Sequence, residues 1–134
     1  MSLSQALANA RNSIPECVAI GLVDVDSGML LDVQTVDSHP SEVLDLVAAA
    51  TADLFQGQNV VAIENIFKEK RGIGDKNLHY FQDMLIFSQN LIHVFLRGKQ
   101  YPNNVIVAVC RGSANTGMVI AKARLQVADI EKNF

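Results

Sequence analysis

The chain has 134 residues, 49% of them hydrophobic, which is enough for one ordinary domain with a continuous core and too few for two. Eleven Lys and Arg against 14 Asp and Glu leave a formal net charge of −3, which offers no basic field to nucleic-acid backbones and no polybasic patch to a membrane surface. No apolar run reaches the ~18 residues of a membrane span, and "MSLSQALANARNS" lacks the apolar stretch of a signal peptide, so a cytoplasmic protein is expected.

Residues 4–12 carry a short helical pattern with Ala6, Leu7 and Ala10 on one side, closed by Pro15. The β-branched run "CVAIGLVDV" (17–25), the turn Asp26-Ser27-Gly28 and "MLLDVQTV" (29–36) then read as a hairpin. In its second strand Leu31, Val33 and Thr35 alternate with Asp32 and Gln34. A long helix follows, with Ser38 as candidate N-cap, Pro40 in the first turn and Glu42 at the positive end of the dipole. Two sets of residues recur at helical spacing: Val43, Val47, Ala50, Leu54 and Leu44, Ala48, Thr51, Phe55. Gly57 is placed to kink or split the helix, after which Val60, Ile63 and Phe67 resume the period as far as Lys70. "KRGIGDKN" (70–77) is a loop, and three strands come next: 78–88, 91–97 and 105–110. A last helix after Gly117 carries a narrow stripe of Ile120, Ala123, Val127, Ile130 and Phe134. The order is α-ββ-α-βββ-α in one domain spanning 1–134. Neither strand group closes alone, so the simplest packing is an α+β sandwich. It has a five-stranded antiparallel sheet, the long helix on one face and the terminal helices on the other.

Gly112-Ser-Ala-Asn-Thr-Gly117 has two glycines at the spacing of a phosphate-binding P-loop. Such a loop needs Lys and Ser/Thr directly after the second glycine. Here those places hold Met118 and Val119, and the stretch opens the final helix, with no later strand to supply a metal-binding Asp. It reads as a strand-to-helix turn with Ser113 or Asn115 as the cap.

"SANTGMVIAKARLQV", following a hydrophobic strand, resembles the ending of the roadblock/dynein light-chain family, and "VAIGLVDVDSGMLL" resembles that family's first hairpin. The element order is similar over about residues 4–131. The resemblance implies a non-enzymatic dimer with no cofactor, whose sheet continues between subunits and whose two long helices pack side by side. It also implies partners such as a small Ras-like GTPase, on which some bacterial members act as activators of GTP hydrolysis.

"NLHYFQDMLIF" is apolar on both alternating sets and reads as a sheet edge, which a symmetric partner copy would cover. On the dimer reading Tyr80, Gln82 and Met84 pair strands across the interface, while Leu44, Val47, Thr51 and Leu54 supply helix packing. Lys70, Arg71 and Lys76 form a weak partner-facing rim. Other chemistry is thin. His39, His79 and His93 are scattered, though the last two could face one another across neighbouring strands; no further ligand set joins them, so no metal site is expected. Asp24, Asp26 and Asp32 read as turn chemistry rather than a cation site. Cys17 and Cys110 could pair, but buried free thiols are the reading for a reducing compartment. The competing function is a small-molecule sensor with a cavity lined by Phe81, Phe87 and Phe95.

Overall fold

A computed structural model of the chain describes residues 2–36, 41–71, 79 and 81–134, without the side chains of 41–43 and 71. Helix α1 (Leu3–Ser13) starts at Ser2, whose hydroxyl accepts the Gln5 N–H at 3.1 Å. It buries the expected Ala6, Leu7 and Ala10. Strands β1 (Cys17–Asp24) and β2 (Met29–Thr35) form the hairpin. Helices α2 (Ser41–Gln56) and α3 (Gln58–Arg71) follow, then β3 (Asp83–Phe87), β4 (Leu91–Arg97), β5 (Asn104–Arg111) and α4 (Thr116–Glu131). The five strands make one antiparallel sheet in the order β2-β1-β5-β4-β3. Both strand groups thus meet at the β1–β5 pair, and β3 lies at an edge as the sequence suggested.

Strand alternation sorts the core into two layers. Ile20, Leu22, Ile92, Val94, Leu96, Ile106, Ala108 and Cys110 face α1 and α4, where Leu7, Val119, Ala123, Val127 and Ile130 meet them. Val23, Phe95, Val105 and Val107 face the opposite way and receive Ala48 and Phe55 from α2. Full burial of an aromatic such as Phe55 contributes about 2–3 kcal/mol. Its ring also lies 6.2 Å from that of Phe95, at 52°.

Three local expectations need correction. Strand β2 is out of phase at its start: Leu22 pairs with Asp32 but Val23 pairs with Leu30. The bulge passes over Leu31, which becomes exposed, and puts Leu30 against the α2 layer instead. The long helix divides at Gly57 as the sequence suggested, while its hydrogen bonds run on: the Gly57 N–H donates to Asp53 O and the Val61 N–H to Gly57 O, both at 3.0 Å; what needs correction is the face beyond it. A Cβ at Gly57 would lie 2.4 Å from Asp53 O, so a side chain here forces the junction's backbone to shift. Beyond it the inward position is Glu64 rather than Ile63, which is exposed. Of the strand expected over 78–88, the described residues form a strand over Asp83–Phe87, and Phe81 packs with the α2 layer, out of step with Leu85. Ser38, His39, Pro40 and the segment 72–78 lie outside the described residues.

Candidate functional site

The outer side of α2 and α3 is apolar and uncovered. Of the two helical sets read in the sequence, Ala48, Thr51 and Phe55 turn to the sheet, while Val47, Ala50 and Leu54 turn to solvent. Leu46, 71% exposed, Val61, Ile63 and Ile66 extend the uncovered side. The strip continues onto the sheet edge, because Leu54 and Val60 share a surface hollow of about 430 Å³ with Phe81 and Met84. Past it, Ile86 and Phe87 on β3 are exposed, Phe87 by 61%.

The proposed interface residues divide on this surface. Val47 and Leu54 lie on the uncovered side. Thr51 does not: it is 1% exposed and its Oγ1 donates to Val47 O at 2.8 Å, so it serves the chain's own core and is withdrawn as a packing residue for a partner. Leu44 is half-buried over the sheet. Gln82 is exposed just before β3, where its carbonyl accepts the Arg97 N–H at 2.9 Å. That bond brackets Asp83 and Leu96 as a non-hydrogen-bonded pair, so Met84 and Phe95 exchange both ladder bonds. The Met84 N–H therefore points into the sheet, and the outward donors are those of Asp83, Leu85 and Phe87. Tyr80 and Lys76 lie outside the described residues, as does the Arg71 side chain; Lys70 is exposed near the end of α3.

The remaining candidates do not gather into a catalytic set. His93 Nε2 lies 3.1 Å from Ser88 Oγ, whereas His79 Nδ1 lies 3.6 Å from Glu64 Oε2, so the two histidines do not face one another. No group of three His, Cys, Asp or Glu is placed to hold a metal among the described residues. Asp24 is engaged by its own turn, accepting from Asp26 N and Ser27 Oγ at 3.1 Å each, with Gly28 at φ 73°. Phe81 and Phe95 share the α2 layer, but Phe87 follows the parity of Leu85 on the other face, so no cavity is lined by all three. A cavity of about 440 Å³ does open between α2 and strands β1, β2 and β5, lined by residues such as Val23, Leu30, Val33, Leu44 and Val107, with Thr35 and Arg111 as its polar members. In the 112–117 turn the two N–H groups of Gly112 and Ala114 are committed, and Asn115 serves as the helix cap. Gly112 N–H bonds Asn90 O at 2.8 Å, Ala114 N–H bonds Arg111 O at 3.0 Å, and Asn115 Oδ1 caps α4 by accepting Met118 N–H at 3.0 Å. A phosphate would have to displace them.

Sequence reasoning missed Arg97. It is 1% exposed, on β4, and its guanidinium is held by backbone carbonyls: Nε donates to Phe81 O at 2.8 Å, Nη1 to Pro102 O at 2.7 Å and Nη2 to Phe55 O at 3.5 Å. Its guanidinium also stacks 5.1 Å from the Phe55 ring centre. Burial holds it below the ordinary arginine value. Arg97 thus fastens the end of α2, the approach to β3 and the β4–β5 turn, three elements that frame the apolar strip. Glu131 plays a similar part at the end of α4, accepting the backbone N–H groups of Lys99 and Gln100. Arg124 of α4 reaches Asp83 of β3 at 3.3 Å. None of these partners is adjacent in sequence, so no local signal marked them.

No protein-family model matches the chain, and no curated protein matches it. Solved structures do. The chain is similar to a Roadblock/LC7 domain from Streptomyces avermitilis, with a TM-score of 0.66 and 11% identity, over 98% of this chain and 97% of that one. It is similar to Myxococcus xanthus MglB, with a TM-score of 0.70 and 14% identity over 97% and 92%. It is also similar to an MglB with tetrameric arrangement, with a TM-score of 0.69 and 16% identity over 98% and 86%. The chain has the roadblock fold.

Proposed function

We propose that the chain is a non-enzymatic regulatory protein that acts as a homodimer and contacts a small Ras-like GTPase. The observation that carries this reading is the apolar strip from Leu46, Val47 and Leu54 on α2, across the hollow at Phe81 and Met84, to Ile86 on the edge strand. An exposed apolar helix face beside an open sheet edge calls for a cover, because water solvates neither the side chains nor the association-prone edge at low cost. A second copy related by a two-fold axis supplies both covers at once: strand to strand at β3 and helix to helix at α2. The same arrangement is what the roadblock resemblance implies, and the tetrameric arrangement of an MglB supports self-association in this fold.

The GTPase reading rests on the resemblance and on the absence of a converging catalytic set among the described residues. A protein without chemistry of its own still changes a GTPase by preferring one conformation of its switch loops, which takes a difference of a few kcal/mol. Lys70, Arg71 and Lys76 are proposed as the charged rim of that contact. The test is affinity capture from native lysate of the source cell, run in parallel with GDP and with a non-hydrolysable GTP analogue. A GTPase enriched in one nucleotide state is the expected result, and its turnover with and without the protein then reads out activation. Recovery of a tightly bound metabolite, with no GTPase in either state, overturns this reading in favour of a sensor built on the α2–sheet cavity.

A further inference from the structure

Cys17 and Cys110 lie in the two central strands, one at the start of β1 and the other near the end of β5, and the sheet register sets them directly opposite each other. The Arg111 N–H donates to Glu16 O at 3.1 Å, one residue to the outside of both cysteines. In an antiparallel ladder a bond in that place opens a non-hydrogen-bonded pair, the closely spaced kind, with Cα atoms about 4.5 Å apart; on its inner side a bulge shifts the register between Cys17 and Ala19, so the pair closes off the regular ladder. Disulfides accept Cα separations of about 4.4–6.8 Å. Both side chains belong to the core layer under α1 and α4, so they project to the same side of the sheet. Both are free thiols.

We propose that Cys17 and Cys110 form a redox-active dithiol, a modification site at which a peroxide converts the pair into a cross-strand disulfide. The surroundings divide the labour between the two sulfurs. Cys17 is the reachable one, 8% exposed at the strand start, whereas Cys110 is fully covered. Arg11 of α1 supplies a positive charge near Cys17, and its Nε is buried without a hydrogen-bond partner, a donor free to receive a thiolate or a sulfenate oxygen. The neighbouring Cys110 thiol, with Arg11 and against burial, holds the Cys17 thiol below its ordinary value, although the Cys17 S–H also donates to Ala19 O at 3.1 Å; Cys17 and burial drive Cys110 up. Cys17 is therefore the attacking sulfur and Cys110 the resolving one. The Cys17 thiolate attacks one peroxide oxygen, the O–O bond breaks, and a sulfenic acid forms as hydroxide leaves. The Cys110 sulfur then attacks the Cys17 sulfur, the S–S bond forms, and the sulfenic oxygen departs as water with the Cys110 proton. Two thiols and one peroxide give one disulfide and two waters: the sulfurs lose two electrons and the peroxide gains them. The product would tie the approach from α1 to the Gly112–Asn115 turn that opens α4, at the seam between the two strand groups.

The test treats the full chain with hydrogen peroxide, blocks remaining thiols with an alkylating agent and measures the intact mass. The expected product is unalkylated, lighter by about 2 Da, monomeric in its covalent linkage on a non-reducing gel and restored by a thiol reductant. The Cys110→Ala variant should lose that product and accumulate at Cys17 a sulfenic acid, heavier by about 16 Da and trapped by a dicarbonyl reagent. Arg11→Met should move the pH dependence of the oxidation rate upward, and Arg11→Lys should restore it. The proposal is overturned if both cysteines remain fully alkylatable after peroxide exposure that oxidises glutathione, or if the disulfides formed lie only between chains.

Discussion

At the scale of single residues, Arg97 is the side chain on which most depends. Three carbonyls from separate elements converge on its guanidinium, and its planar fork serves them together. Arg97→Met keeps much of the volume but removes those three hydrogen bonds from the core. We expect a loss of about 2–4 kcal/mol, read as a lower urea midpoint at unchanged m-value. Arg97→Lys should recover only part of it, since one ammonium cannot span the fork. A second residue-scale prediction concerns pH. Burial holds His79 and His93 below the ordinary imidazole value, with the Arg97 charge adding to the effect at His79. The unfolded chain takes up these protons near pH 6.5 and the folded chain only at lower pH, so protonation favours unfolding. Their stabilising share is complete above about pH 6.5 and is lost as the pH falls from there through the folded values. The thermal midpoint should therefore drop on acidification below that point. The double variant His79→Gln, His93→Gln should flatten the drop; an unchanged slope would refute the assignment.

At the scale of elements, the bend between α2 and α3 decides where the apolar strip lies. Gly57 permits the chain to turn while the helical hydrogen bonds continue. The turn changes which residue points inward, so that Glu64 is covered and Ile63 and Ile66 are uncovered. Gly57→Ala sets a methyl group against Asp53 O, which must either shift or straighten the junction. Overpacking of this kind costs about 1–3 kcal/mol. Since alanine is otherwise the better helix former, a stabilised protein would show that the bend is not needed. Urea unfolding followed by far-UV circular dichroism separates the two outcomes.

At the scale of the whole molecule, the proposed dimer makes a prediction that the ladder sharpens. Met84 spends its N–H inside the sheet, so Met84→Pro would damage the fold and say little about association. Phe87 has an outward N–H and an exposed ring, so Phe87→Pro removes an intermolecular donor and a contact while leaving the ladder to β4 intact. Leu54→Glu places a charge on the helical part of the proposed interface. Stable interfaces cover about 800 Å² per partner, and either change should interrupt that area near its middle or its end. Light scattering coupled to gel filtration should show a dimer for the parent chain and a folded monomer for the double variant. A parent chain that is monomeric at every concentration would sink the proposal.

Hydrophobic period and turn chemistry are local properties, and they determined the element order, the hairpin at Asp26–Gly28, the break at Gly57, a cap at Ser113 or Asn115 and the edge character of β3. Each depends on residues within a few positions of one another, so the signal survives without the fold. What only the tertiary structure decided depends on partners far apart in the chain. Two apolar sets on α2 were equally regular, and nothing local says that Thr51 and Phe55 meet the sheet while Val47 and Leu54 do not. The skipped Leu31 follows from how β2 aligns with β1, because a one-residue slip exchanges the faces of a strand. Arg97 looks like the charged end of a strand in sequence, yet it is buried because carbonyls from residues 5 to 42 positions away converge there. The nearness of Cys17 and Cys110, 93 positions apart, likewise exists only through the register of β1 against β5.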